Sequence, residues 1–377
     1  MTNEPLHRVT DLELLRRDVQ RQGDILREIG GRLRAAAQEV AAAIKGELPR
    51  IYLVGCGDSL DAGMATRLTW ERLTGLAVEA VPAMSFSYGL VDTAPAGSLV
   101  VALSQSGTVR RVVESVRVAR SRGLRTLVIT ANVESPLALE PSDGTMILDF
   151  PRLGFVPGTT SYAVALMAHL ELAAAFGRDA AAIAVLRAEI DRAGDHVGAA
   201  HDVVRAAAEQ HSKAITRSTP ILVLGAGAQY ATARFGARKF FEIPQLITIS
   251  QETEEYAHDE FSIIDERFRV ILLAPPDRGL ARSTEIARGL HGLGVHLAVV
   301  TEERASGAFT ELAEVVYPMP AVPSDLAPLT YALPSQSLAY FLAERLGGSY
   351  YNSGDKTHAD IIDVQIYEGG IYSDFLT

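Results

Sequence analysis

Apolar residues return at intervals of three, four and seven positions near the start of the chain, at Leu12, Leu15, Val19, Leu26, Ile29, Leu33 and Val40. One face of a helix has that period, so helices are predicted over residues 10–46. At Ile51 the pattern changes. "RIYLVGCGDS" is a short unbroken apolar run that stops in a glycine-rich turn, and similar runs occupy 77–81, 98–103 and 125–130. Segments of helical spacing separate them. Strands covered on both faces lose the in–out alternation and read as continuous apolar runs. Their alternation with helices predicts a parallel α/β sheet.

The pattern then recurs. "IYLVGCGDSLDAG" from Ile51 matches "ILVLGAGAQYATA" from Ile221, and "SLVVALSQSG" from Ser98 matches "FRVILLAPPD" from Phe268, both at an offset of 170. "GLRTLVIT" from Gly123 matches "GVHLAVVT" from Gly294 at 171. Two copies of one α/β unit are predicted, joined by a mostly helical segment. The expected division is helices at 1–46, a first unit at 47–175, a helical linker at 176–217, a second unit at 218–345 and a tail at 346–377.

The copies differ at one informative place. The first sheet's third strand ends in Ser104-Gln105-Ser106-Gly107-Thr108, and its twin ends in Ala274-Pro275-Pro276-Asp277. The fold therefore does not require the hydroxyls. A strand end that runs into a helix start presents free N–H groups, and added hydroxyls complete an anion site, typically for phosphate. The competing reading is plain helix capping, for which one hydroxyl suffices.

Composition narrows the chemistry. The 377 residues carry a formal net charge of −11, which argues against a nucleic-acid partner. With 48% hydrophobic and 21% charged residues, a large core is available. Cys56 is the one cysteine, so no intramolecular disulfide can form, and "MTNEPLHRVTDLELLRRD" is unlike a signal peptide. The most apolar stretch, "LELAAAFGRDAAAIAVL", is interrupted by Glu171, Arg178 and Asp179, so no membrane partner is expected. These features predict a cytoplasmic protein.

Other motifs stay open on pattern alone. "GCGDS" (55–59) is a tight strand-to-helix turn with Asp58 or Ser59 as its cap. Leu60 stands where a dinucleotide fingerprint needs its third glycine, so no NAD cofactor is expected. Lys239 and Glu242 share a helix face three residues apart, and a solvated ion pair is the plain reading. Apolar neighbours and Pro244, which ends the helix near Glu242, weaken it. "SQETEEYAHDEFSIID" sets His258 among Glu252, Glu254, Glu255, Asp259 and Glu260. His258 suits general acid–base work near neutral pH. No second histidine lies nearby, so no metal site is expected. In the tail, Lys356 and His358 are placed in a turn that a strand-like segment follows.

"GCGDS", "VALSQSG", "TLVITANVES" and the run from "LGAGAQY" through "KFFEI" to "EEYAHDEFSIID" resemble the sugar isomerase (SIS) domain family. In tandem they resemble the isomerase half of glucosamine-6-phosphate synthase. The resemblance implies two SIS domains, each a three-layer α/β/α sandwich, and a sugar phosphate substrate with no cofactor. It implies that Ser104, Gln105, Ser106 and Thr108 bind the phosphate, and that Ser59 and the Val133 backbone contact the open-chain sugar. It assigns Glu242 to proton transfer between sugar C1 and C2, with Lys239 beside it. It assigns His258 to ring opening from a neighbouring subunit, hence a homodimer with shared active sites, and Lys356 to a Schiff base with the ketose.

The sequence also departs from the family. The family's Ser-Gln-Ser-Gly-Glu-Thr is here Ser-Gln-Ser-Gly-Thr108-Val109. Asp259-Glu260 replaces a Gly-Pro, and Ala257 stands where a lysine is usual. No counterpart of the family's glutaminase half is expected, so ammonia would not come from glutamine by that route. The function expected is that of a phosphosugar aldose–ketose isomerase or deaminase acting on an amino-sugar 6-phosphate. A fructosamine-6-phosphate deglycase and a non-catalytic phosphosugar sensor are the alternatives.

Overall fold

The computed structural model describes residues 10–368 and 370–371. Two helices, α1 (Leu12–Gln20) and α2 (Gln22–Ala43), come first. The first sheet follows as β1 (Ile51–Gly55), α3 (Asp58–Thr74), β2 (Val78–Pro82), α4 (Ala83–Ser87), β3 (Leu99–Leu103), α5 (Arg110–Ser121), β4 (Arg125–Thr130), α6 (Pro136–Leu139) and β5 (Gly144–Ile147). Three helices come next, α7 (Thr160–Phe176), α8 (Ala180–Ile190) and α9 (Ala193–Ser212). The second sheet is built from β6 (Ile221–Gly225), α10 (Ala228–Glu242), β7 (Thr248–Glu252), α11 (Thr253–Tyr256), β8 (Arg269–Leu273), α12 (Leu280–Gly292), β9 (His296–Glu302) and β10 (Val315–Met319). Helices α13 (Ala327–Tyr331), α14 (Leu333–Leu346) and α15 (Lys356–Asp363) complete the order.

Both sheets have five parallel strands flanked by helices, and both have the same order. The first runs β2-β1-β3-β4-β5 and the second β7-β6-β8-β9-β10. The registers repeat as well: Ile51 pairs with Val78 and Leu99, and Ile221 pairs with Thr248 and Arg269. The glycine turns after β1 and β6 are superposable in dihedral space. Gly57 has φ 57° and ψ −132°, and Gly227 has φ 57° and ψ −127°. Both lie outside the regions open to side-chain-bearing residues. The internal repeat read from the apolar pattern is thus a repeat of backbone geometry.

β1 and β3 are buried at every position, so helices must cover both sheet faces. α5 turns Val112, Val113, Val116 and Ala119 into the same core as Tyr52, Val54, Val100 and Val128. Burying each such valine is worth about 1.5–3 kcal/mol, which fixes the helix on the sheet. The chain leaves β1 toward β2 and returns to start β3 on β1's other side. Open α/β sheets bind ligands at the carboxyl ends of strands flanking such a reversal. The loops at 55–59 and 104–108 lie there.

Packing groups the described residues into two compact units: 24–151, 160–194, 362–368 and 370–371 around the first sheet, and 10–23, 152–159 and 195–361 around the second. Helix α1 counts with the second sheet and α2 with the first. Among the described residues, no helix is long and apolar enough to cross a membrane.

The tail departs from its strand-like reading. Residues 356–363 form α15, a π-helical turn covers Val364–Glu368, and neither sheet includes the segment. Asp355 Oδ1 accepts from His358 N–H at 3.2 Å, which caps the helix start. Lys356 and His358 therefore begin a helix rather than occupy a turn. Ile361 and Val364, three apart, fit a helical face as well as a strand.

Candidate active site

The hydroxyl-rich loop is organised by its own backbone. Gly107 N–H donates to Ser104 Oγ at 3.1 Å and to the Ser104 carbonyl at 3.0 Å. Ser106 Oγ and Thr108 Oγ1 lie 2.8 Å apart in a hydrogen bond. None of these groups caps α5: the cap residue is Val109, whose side chain can accept nothing. The first N–H groups of α5 thus receive no side-chain acceptor from the loop. Helix capping does not account for the three hydroxyls. Gln105 adds to this, with both terminal amide atoms shut off from solvent and without a partner among the described residues. A buried amide with no partner is costly, and a ligand is one way to satisfy it.

Gly107 is the loop's structural constraint. It has φ 68°, and a Cβ there would lie 2.0 Å from Ser135 Oγ and 2.7 Å from Thr130 Oγ1. Its carbonyl accepts from Leu137 N–H at 3.0 Å, and the Gln105 carbonyl accepts from Ala131 N–H at 3.0 Å. The loops after β3 and β4 are therefore locked together by these backbone bonds, with Ser135 and Thr130 packed against Gly107, a pairing no local motif announces. Gly107→Ala is expected to lower stability by about 2–4 kcal/mol, from left-handed strain plus overpacking. Urea unfolding at neutral pH measures it.

Ser59 and Val133 lie on neighbouring loops of the first sheet, after β1 and β4. Ser59 lies in the first turn of α3, which begins at Gly57 with no side-chain cap, so neither Asp58 nor Ser59 has the capping role predicted for it. Gly55 allows the tight turn, since a Cβ on it would lie 2.8 Å from Leu60 N. Val133 is 63% exposed on the loop after β4.

Lys239 and Glu242 belong to the second sheet's unit. Lys239 is fully buried, yet its Nζ meets Glu242 Oε2 at 2.5 Å and sits 4.6 Å from the Phe235 ring centre. Glu242 is the last residue of α10, with a side chain 17% exposed. A carboxylate is disfavoured at a helix C-terminus, and a buried ammonium is costly. The solvated ion pair of the plain reading is replaced by a part-buried one, its ammonium fully enclosed.

The C-terminal segment closes over this helix end. A Cβ on Gly348 would stand 2.5 Å from the Ile243 carbonyl oxygen, so only glycine passes there. Gln245, at φ 52°, accepts from Ser349 N–H at 3.1 Å through Oε1. Arg217 donates to the Leu346 and Gly347 carbonyls, both at 2.8 Å. Sequence reasoning missed Arg217, Gln245 and Ser349; the Gly347-Gly348 pair was the available signal.

His258 and Lys356 are not joined to the Lys239–Glu242 pair. His258 is 68% exposed in its side chain and faces Glu254, 3.5 Å away. Arg282, bonded to the same Glu254, holds that carboxyl below the usual range, with His258 adding to the effect. Lys356 is exposed at the start of α15 and has no ion-pair partner among the described residues.

The model of the SIS domain matches residues 47–175 and 214–343, and the chain belongs to that family. A glutamine–fructose-6-phosphate aminotransferase (isomerizing) of Rhizobium meliloti is 27% identical over 310 residues, covering 80% of this chain and 50% of that protein. The chain thus spans about half the length of the curated relatives it matches. Among solved structures, the C-terminal domain of glucosamine-fructose-6-phosphate aminotransferase from Francisella tularensis matches at TM-score 0.78 and 20% identity, covering 89% of this chain and 97% of that one. A glucosamine-6-phosphate deaminase from Thermotoga maritima matches at TM-score 0.66 and 17% identity, covering 89% and 96%. These structural likenesses establish the fold.

Proposed function

We propose that the chain is a phosphosugar aldose–ketose isomerase or deaminase acting on an amino-sugar 6-phosphate. The observation that carries this reading is the part-buried Lys239–Glu242 pair at the end of α10. Its position favours neither the helix nor the core, which is the mark of groups kept for chemistry.

Glu242 takes the proton from C2 of the open-chain sugar, and the C–H electrons form the C1–C2 enediol as the carbonyl oxygen gains charge. Lys239 offsets that charge. The same carboxyl returns the proton to C1, so one group serves both carbons. With an amino group on C2, the product is a C2 imine, and water releases ammonia and the ketose phosphate. The Ser104–Thr108 loop holds the phosphate, with Gln105 closing on it, and Ser59 and Val133 bind the sugar chain. Lys356 is kept as the Schiff-base candidate. His258 opens the ring, and its exposure and its pairing with Glu254 suit service to a second copy in a homodimer. A cytoplasmic setting accompanies this reading.

Incubation with glucosamine 6-phosphate, following ketose phosphate and ammonia, tests the reading. The absence of product from it and from fructosamine 6-phosphates at high enzyme concentration would overturn it. Release of an amino acid from the latter alone would instead select the deglycase. Ser106→Ala is expected to raise KM for the phosphosugar roughly tenfold with little change in kcat, the loss of one bond to a charged group. Steady-state kinetics of the variant reads both parameters.

A further inference from the structure

Helix α5 opens with two arginines and has no acidic residue in its first turn. Cations there face the positive end of the helix dipole and are disfavoured. The internal twin dispenses with both, because α12 begins Leu280-Ala281 at the matching positions. The fold therefore asks for neither arginine.

Arg111 is accounted for within the protein: it binds the Glu114 carboxylate, the Tyr88 hydroxyl and the Gly370 carbonyl. Arg110 is not. Its Nε donates to the Tyr367 carbonyl at 2.7 Å, which steadies the side chain, and its two Nη groups have no partner among the described residues. It follows directly on the loop whose hydroxyls leave α5 uncapped and whose Gln105 amide has no partner among the described residues. Val109 stands where the family motif carries a hydroxyl.

We infer that Arg110 is a further phosphate-binding residue of this chain, its free Nη groups donating to the phosphoryl group held by the Ser104–Thr108 loop in place of the hydroxyl that Val109 lacks. The inference rests on the phosphosugar reading and adds a residue specific to this chain. A guanidinium fork matches two phosphoryl oxygens, and a dianion there resolves the conflict between two cations and the helix dipole.

The test is calorimetric binding of fructose 6-phosphate and of inorganic phosphate to the full chain, unaltered and as Arg110→Ala, Arg110→Lys and Ser106→Ala. The expected result is that Arg110→Ala weakens both ligands by roughly 10–100-fold, as loss of a charge-assisted pair implies. Arg110→Lys recovers part of the loss, and near-ultraviolet circular dichroism stays unchanged. A tail anchor alone would leave inorganic phosphate binding intact in Arg110→Ala. That result, with Ser106→Ala still impaired, removes Arg110 and leaves the phosphate loop standing. If the unaltered chain binds neither ligand, the phosphosugar reading fails and Arg110 with it.

Discussion

Glu242→Gln is expected to cut turnover by roughly 10²–10⁴-fold, the usual contribution of a positioned general base. Glutamine keeps the size of the side chain but cannot accept a proton from carbon. The substitution also removes the carboxylate charge 2.5 Å from Lys239, which is fully buried. Breaking a buried pair from one side costs about 3–5 kcal/mol, so the variant should also unfold at lower urea. Glu242→Asp separates the two effects. It keeps the charge beside Lys239, and so most of the stability, but withdraws the carboxylate by one methylene. Turnover should still fall about 10²-fold, because a misplacement on the order of 1 Å is enough. Steady-state kinetics and urea melts of both variants check this. Full activity in Glu242→Gln would remove the residue from the chemistry.

The second large effect is acid destabilisation. His169 is completely buried on α7, edge-on to Trp70 at 6.4 Å, and neither ring nitrogen has a partner among the described residues. Burial pushes its pKa down to about 4. His211 on α9 is likewise pushed down to about 4, by burial and then by Arg269, and bonds the Tyr317 hydroxyl at 3.0 Å. Unfolded, each titrates near its ordinary value of 6.5. Between those pH values the unfolded chain binds protons that the folded chain refuses. Stability is therefore complete above pH 6.5 and falls with acidity, by about 2 kcal/mol per histidine at pH 5 and about 3 at full effect. Against a typical stability of about 5–15 kcal/mol, two such groups decide acid tolerance. His169→Leu, which breaks no hydrogen bond, should flatten its share of the slope in urea melts between pH 7.5 and 5. An unchanged slope would mean that His169 is not the titrating group.

Much of the architecture was readable because it is written in local periodicity. Continuous apolar runs at 98–103 and 125–130 marked strands buried on both faces, and the matched runs at Ile51 and Ile221 marked the repeat. The comparison of Ser104–Gly107 with Ala274–Asp277 was equally local, and it pointed to the loop whose hydroxyls turn out not to cap α5. What escaped depends on contacts between distant residues. Nothing near Gly107 signals that Ser135 and Thr130 fill the space beside it. Nothing near Ile243 signals that Gly348 passes against its carbonyl. The Lys239–Glu242 spacing fits a solvated pair and a part-buried one equally, and only packing around Phe235 separates them. The tail's alternating apolar residues suited a strand until Asp355 capped them into a helix.

The most direct test of the proton-transfer account is isotope exchange. The unaltered chain, incubated with fructose 6-phosphate and glucosamine 6-phosphate in heavy water, is followed by proton nuclear magnetic resonance at C1 and C2. The account predicts deuterium at those carbons with the unaltered chain and none above background with Glu242→Gln. Equal incorporation by the two proteins, or none by the unaltered chain with either sugar phosphate, would contradict it.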